Sequence, residues 1–158
     1  MSRTKRRRGE VSRVSAARPI DKALVFVNKD GVDASQVTTD LFSATFPGTV
    51  TGLRWDVNVS QGAGTGLCIL SWAIVVVRDG LSASSIAISD AGSFYEPEQD
   101  VLAFGVATID NNTETKSFEG STKTMRKLKG GDKLMMVIKG TATNTSSVRA
   151  IVQLFIKS

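Results

Sequence analysis

Beyond residue 20, apolar and polar residues alternate with a period of two along most of the chain, the pattern of strands with one face on a core. Over Val50 to Ser60, Leu53, Trp55, Val57 and Val59 share one face, while Arg54, Asp56, Asn58 and Ser60 share the other. Ser147 to Lys157 repeats the pattern with Val148, Ala150, Val152, Leu154 and Ile156, and Lys133 to Thr143 repeats it with Leu134, Met136 and Ile138. Leu67 to Arg78 breaks it. Cys68, Leu70, Trp72, Ile74 and Val76 form one apolar row, and Leu67, Ile69, Ala73, Val75 and Val77 form most of another. A short apolar run also fits a helix, but the β-branched residues and the Asp79-Gly80 turn signal favour a strand. Such a strand needs cover on both faces, and a second subunit is expected to supply the outer cover.

Four further segments predict strands: Lys22 to Lys29, Gln36 to Phe46, Asp100 to Asp110, and the polar, Thr-rich Glu114 to Lys127. Turn signals punctuate them at Asp30-Gly31, Phe46-Pro47-Gly48, Asn111-Asn112 and Gly130-Gly131-Asp132. Gln61 to Gly66 reads as a flexible loop, and Leu81 to Gln99 as a long loop with one helical turn at Pro97. Eight short strands without a long helix predict an all-β, antiparallel, eight-stranded jelly-roll sandwich over residues 21–158. An immunoglobulin-like sandwich has a similar strand count, but its Cys…Trp…Cys spacing is missing.

Charge changes this picture at one end only. Residues 1–22 carry eight basic and two acidic side chains, whereas the remainder of the 158-residue chain is net −1. Residues 1–20 are Arg- and Ser-rich without apolar period and read as a disordered arm. Arginine is always charged, and its planar fork matches phosphate. Arg3, Lys5, Arg6, Arg7, Arg8, Arg13 and Arg18 are therefore expected to bind nucleic acid through the backbone, with strong salt dependence and little sequence preference. No aromatic lies within residues 1–22, so the arm offers no base stacking. Lys5-Arg6-Arg7-Arg8 also suits a nuclear-import signal. A second basic cluster, Lys123, Arg126, Lys127, Lys129 and Lys133, reads either as a solvated strand face or as further phosphate contacts. Alternation groups Lys123 with Lys127 and Lys129.

Catalytic chemistry finds little support. There is no histidine and only one cysteine, Cys68, so the usual general base and the usual ligands of zinc, copper and haem are missing. Gly62-Ala63-Gly64-Thr65-Gly66 is followed by Leu67-Cys68 and lacks the Gly-Lys-Ser/Thr ending of a phosphate loop. Asp90, Glu96, Glu98 and Asp100 lie close in sequence, but without Ca²⁺-loop spacing they read as a solvated loop. No enzyme activity, cofactor or metal is expected. No apolar run reaches the roughly 18 residues of a membrane span.

Several stretches resemble a known family: Gly52-Leu53-Arg54-Trp55-Asp56, Trp72 to Gly80 (WAIVVVRDG), Phe94 to Leu102 (FYEPEQDVL) and Gly120 to Leu128 (GSTKTMRKL). They resemble capsid proteins of small circular, Rep-encoding single-stranded DNA viruses. The resemblance implies a single jelly roll, a shell of 60 copies, an arm facing the packaged single-stranded DNA, and passage through the host nucleus by way of an import receptor. The chain is short for such a protein, and its arm has fewer arginines than many. The competing reading is a monomeric nucleic-acid-binding β-barrel module with a basic tail. A net-negative body argues against it, because such modules usually carry a basic face on the fold.

Overall fold

A computed structural model describes residues 20–61, 67–81, 100–110, 115–140 and 145–158. Of the arm read over residues 1–20, residues 1–19 lie outside the described residues, as do 62–66 of the Gln61–Gly66 loop, 82–99 of the Leu81–Gln99 loop with its Pro97 turn, and the Asn111-Asn112 turn.

The eight strands are β1 (Ile20–Val32), β2 (Val37–Ser43), β3 (Gly48–Gln61), β4 (Cys68–Val77), β5 (Asp100–Ile109), β6 (Thr115–Leu128), β7 (Lys133–Lys139) and β8 (Ser146–Lys157). They form two four-stranded sheets in the orders β1-β8-β3-β6 and β2-β7-β4-β5, with every pairing antiparallel. This interleaving, in which each sheet takes strands from both halves of the chain, is the jelly roll.

The period-two pattern sets what lies between the sheets. Leu53, Val57 and Val59 of β3, Val148 to Ile156 in alternation on β8, and Leu134, Met136 and Ile138 of β7 enter one core with the Cys68–Val76 row of β4. Trp72 is fully buried at its centre, edge-on to Trp55 at 6.2 Å and to Phe118 at 6.3 Å between ring centroids. Both indoles lie across glycines of the paired strand, Trp72 over Gly105 and Trp55 over Gly120. A Cβ on Gly105 would meet the Trp72 ring at 2.6 Å, and one on Gly120 would meet the Trp55 ring at 2.4 Å. Gly105→Ala is therefore expected to overpack the core and lower stability by about 1–3 kcal/mol. Urea denaturation measures this, and an unchanged midpoint would contradict the packing argument.

Three expectations change. Asp30-Gly31 does not end a strand; it sits inside β1, where pairing with β8 shifts between Lys29 and Val32 as a bulge. β2 stops at Ser43, short of Phe46. The outer face of β4 is covered without a second subunit only over Ala73–Val77, while Leu67 and Ile69 on the same row stay exposed. Ala73, Val75 and Val137 have no exposed surface within the single chain and form a second small core with Val77 and Met135.

At the end of the sandwich where β1 starts and β8 finishes, a charged knot ties the sheets together. Asp132 follows the Gly130-Gly131 turn and is 1% exposed. Its carboxylate accepts the backbone N–H of Lys129 at 2.8 Å, that of Asp79 at 2.9 Å, and a guanidinium N–H of Arg78 at 2.8 Å. Arg78 also pairs with Asp100 at the start of β5 and donates to the Lys127 carbonyl at 2.8 Å.

Candidate nucleic-acid interface

Cross-strand register, not sequence proximity, assembles this surface. On the outward face of the β1-β8-β3-β6 sheet, the row nearest the β1 start runs Ile20, Lys157, Thr49, Lys127. The next runs Lys22, Phe155, Gly52, Lys123, and the third Leu24, Gln153, Arg54, Ser121. These three rows bring together Lys22, Arg54, Lys123, Lys127 and Lys157 and contain no acid. Among the described residues no ion pair holds any of the five. Acids return in the fourth row, which runs Phe26, Ile151, Asp56, Glu119. The positive field is thus confined to one end of the sheet.

Two depressions lie along it. One, of about 310 Å³, is bordered by Gly52, Arg54, Ser121, Lys123 and Phe155. The other, of about 510 Å³, is bordered by Met125, Lys127, Lys129, Lys157 and Thr49. Lys22 places its ammonium 5.9 Å from the centroid of the Phe155 ring.

Of the sequence-predicted residues, Lys123, Lys127 and Lys129 come together at this end. Arg126 does not join them: β6 alternation turns it away from Lys127, and it pairs with Asp100 at 3.4 Å. Its charge is matched within the fold and is less available to phosphate. Lys133 lies on the other sheet, 3.5 Å from Asp40. Arg3, Lys5, Arg6, Arg7, Arg8, Arg13 and Arg18 lie outside the described residues, but their segment joins the body at Ile20, beside Lys157 in the first basic row.

Sequence reasoning missed Arg54, Lys157 and Phe155 as parts of a surface. Each sits at an outward position of its strand, which alternation marks. That β8 lies between β1 and β3, however, is a topological fact that alternation does not carry. Of the acidic loop residues considered for Ca²⁺, Asp90, Glu96 and Glu98 lie outside the described residues, and Asp100 is engaged by Arg78 and Arg126. Among the described residues, no three His, Cys, Asp or Glu side chains gather as metal ligands.

This arrangement can hold a polyanion. Five cations that no ion pair holds among the described residues attract phosphates, and residues 1–19 carry seven more.

No protein-family model matches the sequence, and no curated protein matches it. Similarity to solved structures is of fold only. An aminopeptidase from a marine sediment archaeon of the Thaumarchaeota is similar with a TM-score of 0.46 and 8% identity, covering 87% of this chain and 34% of that chain. Infectious bursal disease virus, Gx strain, is similar with a TM-score of 0.40 and 13% identity over 89% of this chain and 32% of that one. Desmodium yellow mottle tymovirus is similar with a TM-score of 0.36 and 9% identity, over 87% of both chains. The chain spans about a third of the first two chains and most of the third.

Proposed function

We propose that this protein is a viral capsid subunit. Its jelly roll assembles with copies of itself into a small icosahedral shell of 60 subunits, and its basic arm packages single-stranded DNA. One observation supports the reading: the basic segment 1–19 enters the fold at Ile20, which pairs with Lys157 in the first basic row of the β1-β8-β3-β6 sheet. In a closed shell that end of the sheet faces the genome. Sixty arms would bring about 360 positive charges into one interior. Leu24, Phe26 and Ile151, which are 57%, 68% and 42% exposed, lie on neighbouring rows of the same sheet and give a copy an apolar surface to contact. The preference for single-stranded DNA, and the use of Lys5 to Arg8 for import into the host nucleus, rest on the family resemblance and on the charge of the arm.

Replacing Lys123, Lys127 and Lys157 together by alanine tests the contribution of the body. Binding to single strands is expected to weaken across all sequences, and the log–log salt slope to flatten by about 2. An unchanged slope would mean that the sheet does not touch phosphate. Fusing residues 1–20 to a cytoplasmic reporter tests import: nuclear accumulation is expected, and its absence would contradict that role.

A second reading, a monomeric nucleic-acid-binding β module, is favoured by the basic face itself, which the net charge of the body conceals. The assembly state separates the two.

A further inference from the structure

The arm has no aromatic side chain, yet the second basic row of the sheet has one at its centre. The geometry points to a base-stacking site for single-stranded nucleic acid on the body, in which the Phe155 ring receives one base while Lys22, Arg54 and Lys123 hold the flanking phosphates. This inference rests on the reading that the basic face binds nucleic acid, and adds that the face contacts bases as well as backbone.

Four observations converge on Phe155. It is the aromatic residue within the three acid-free rows, flanked by Lys22 on β1 and by Lys123 two strands away. It stays outside the core that takes the alternate residues of β8, so its ring is partly exposed on the outer face. Gly52 separates it from Lys123 and carries no side chain, which opens the 310 Å³ depression beside the ring, a volume at the lower end of small-ligand clefts. A Cβ on Gly52 would stand 3.7 Å from the ring and 3.2 Å from the Thr122 carbonyl, so any side chain there would crowd this opening. Finally, the Lys22 ammonium at 5.9 Å from the ring centroid makes a contact near the outer limit for a cation–π pair. A base can take that place on the ring while Lys22 turns to the adjoining phosphate, exchanging one cation contact for another.

The other exposed aromatic of this sheet, Phe26, lies in the row with Asp56 and Glu119. Those carboxylates repel a phosphate chain, so Phe26 suits contact with protein and serves as a control.

The test compares two labelled 20-mers of equal charge, oligodeoxythymidine and an abasic strand, by fluorescence anisotropy with the full-length chain. The native protein is expected to bind oligodeoxythymidine roughly 5- to 100-fold more tightly than the abasic strand. Phe155→Leu keeps an apolar cover beside Gly52 but removes the π-face, so it should erase that preference and leave abasic affinity and the salt slope unchanged. Phe155→Tyr should restore the preference, and Phe26→Leu should leave it intact. Equal affinity of the native protein for both strands, or a preference that survives Phe155→Leu, would overturn the stacking site while leaving phosphate binding in place. Failure to bind either strand would overturn the nucleic-acid reading beneath it.

Discussion

Deleting residues 1–19 will leave the sandwich folded and remove most of the protein's hold on nucleic acid. The fold should survive because the first pairing with β8 begins at Ile20 and the main core draws on β1 from Ala23 onward. Binding should collapse because the segment holds seven cations and one acid, and each phosphate contact releases counterions. If all seven engage, the log–log salt slope on single strands flattens by about 5, and affinity near 50 mM salt falls by roughly 1,000-fold or more. The remaining affinity belongs to Lys22, Arg54, Lys123, Lys127 and Lys157, so it should be weak, still salt-dependent, and sensitive to Phe155. Circular dichroism and anisotropy titrations on the truncated chain measure both halves of this expectation. An unfolded truncation would show that the segment is structural, and undiminished binding would show that the arm is not the main contact.

Asp132→Asn will destabilise the body by about 3 kcal/mol, a large part of the stability of a domain this size. The carboxylate accepts two backbone N–H groups and the Arg78 guanidinium with almost no exposure to water. An amide has one oxygen for those three donors, and its own N–H₂ group would face donors. The Arg78 charge would also lose a matched partner, leaving it to Asp100. Burial alone would raise the Asp132 carboxyl, but the N–H groups of Lys129 and Asp79 and the Arg78 guanidinium outweigh it and hold the group below its ordinary 3.8. A carboxylate with a depressed folded value stabilises the protein fully above its unfolded value. That contribution disappears as pH falls through the folded value. The gap between native protein and Asp132→Asn should therefore be constant near neutrality and shrink below about pH 4. Urea denaturation at a series of pH values reads this directly. A neutral-pH loss under about 1 kcal/mol, or a gap that widens in acid, would contradict the arrangement.

Much of the fold was legible where burial follows period two, as in β3 and β8, but β7, read with one apolar face of Leu134, Met136 and Ile138, is buried on both faces, with Met135 and Val137 covered as well. The faces of β3 and β8 could be assigned from alternation, and the doubly apolar β4 was visible as a strand. Turn chemistry misled where a bulge imitates a turn, as at Asp30-Gly31, since a glycine admits either and only pairing to β8 decides. An apolar face states that something must cover it without stating what: on the outer row of β4, Ala73, Val75 and Val77 are covered within the chain, while Leu67 and Ile69 are not. Asp132 read as a turn residue beside two glycines. Its role at the knot depends on donors from Asp79 and Arg78, more than fifty positions away. The candidate interface was half visible. The charge of the arm and the Lys123–Lys127 alternation are local, whereas Lys22, Phe155, Arg54 and Lys157 meet only through the order β1-β8-β3-β6. Arg126 shows the converse: basic and next to Lys127 in sequence, it faces the other way and is neutralised by Asp100.

In the proposed reading, the body pairs with copies of itself. Electron microscopy of the purified full-length protein, with sizing across a range of salt and pH, tests it most directly. Closed, uniform particles of about 60 subunits are predicted, the simplest icosahedral shell. Monomers alone under every condition would contradict the capsid reading and leave the nucleic-acid-binding module in its place.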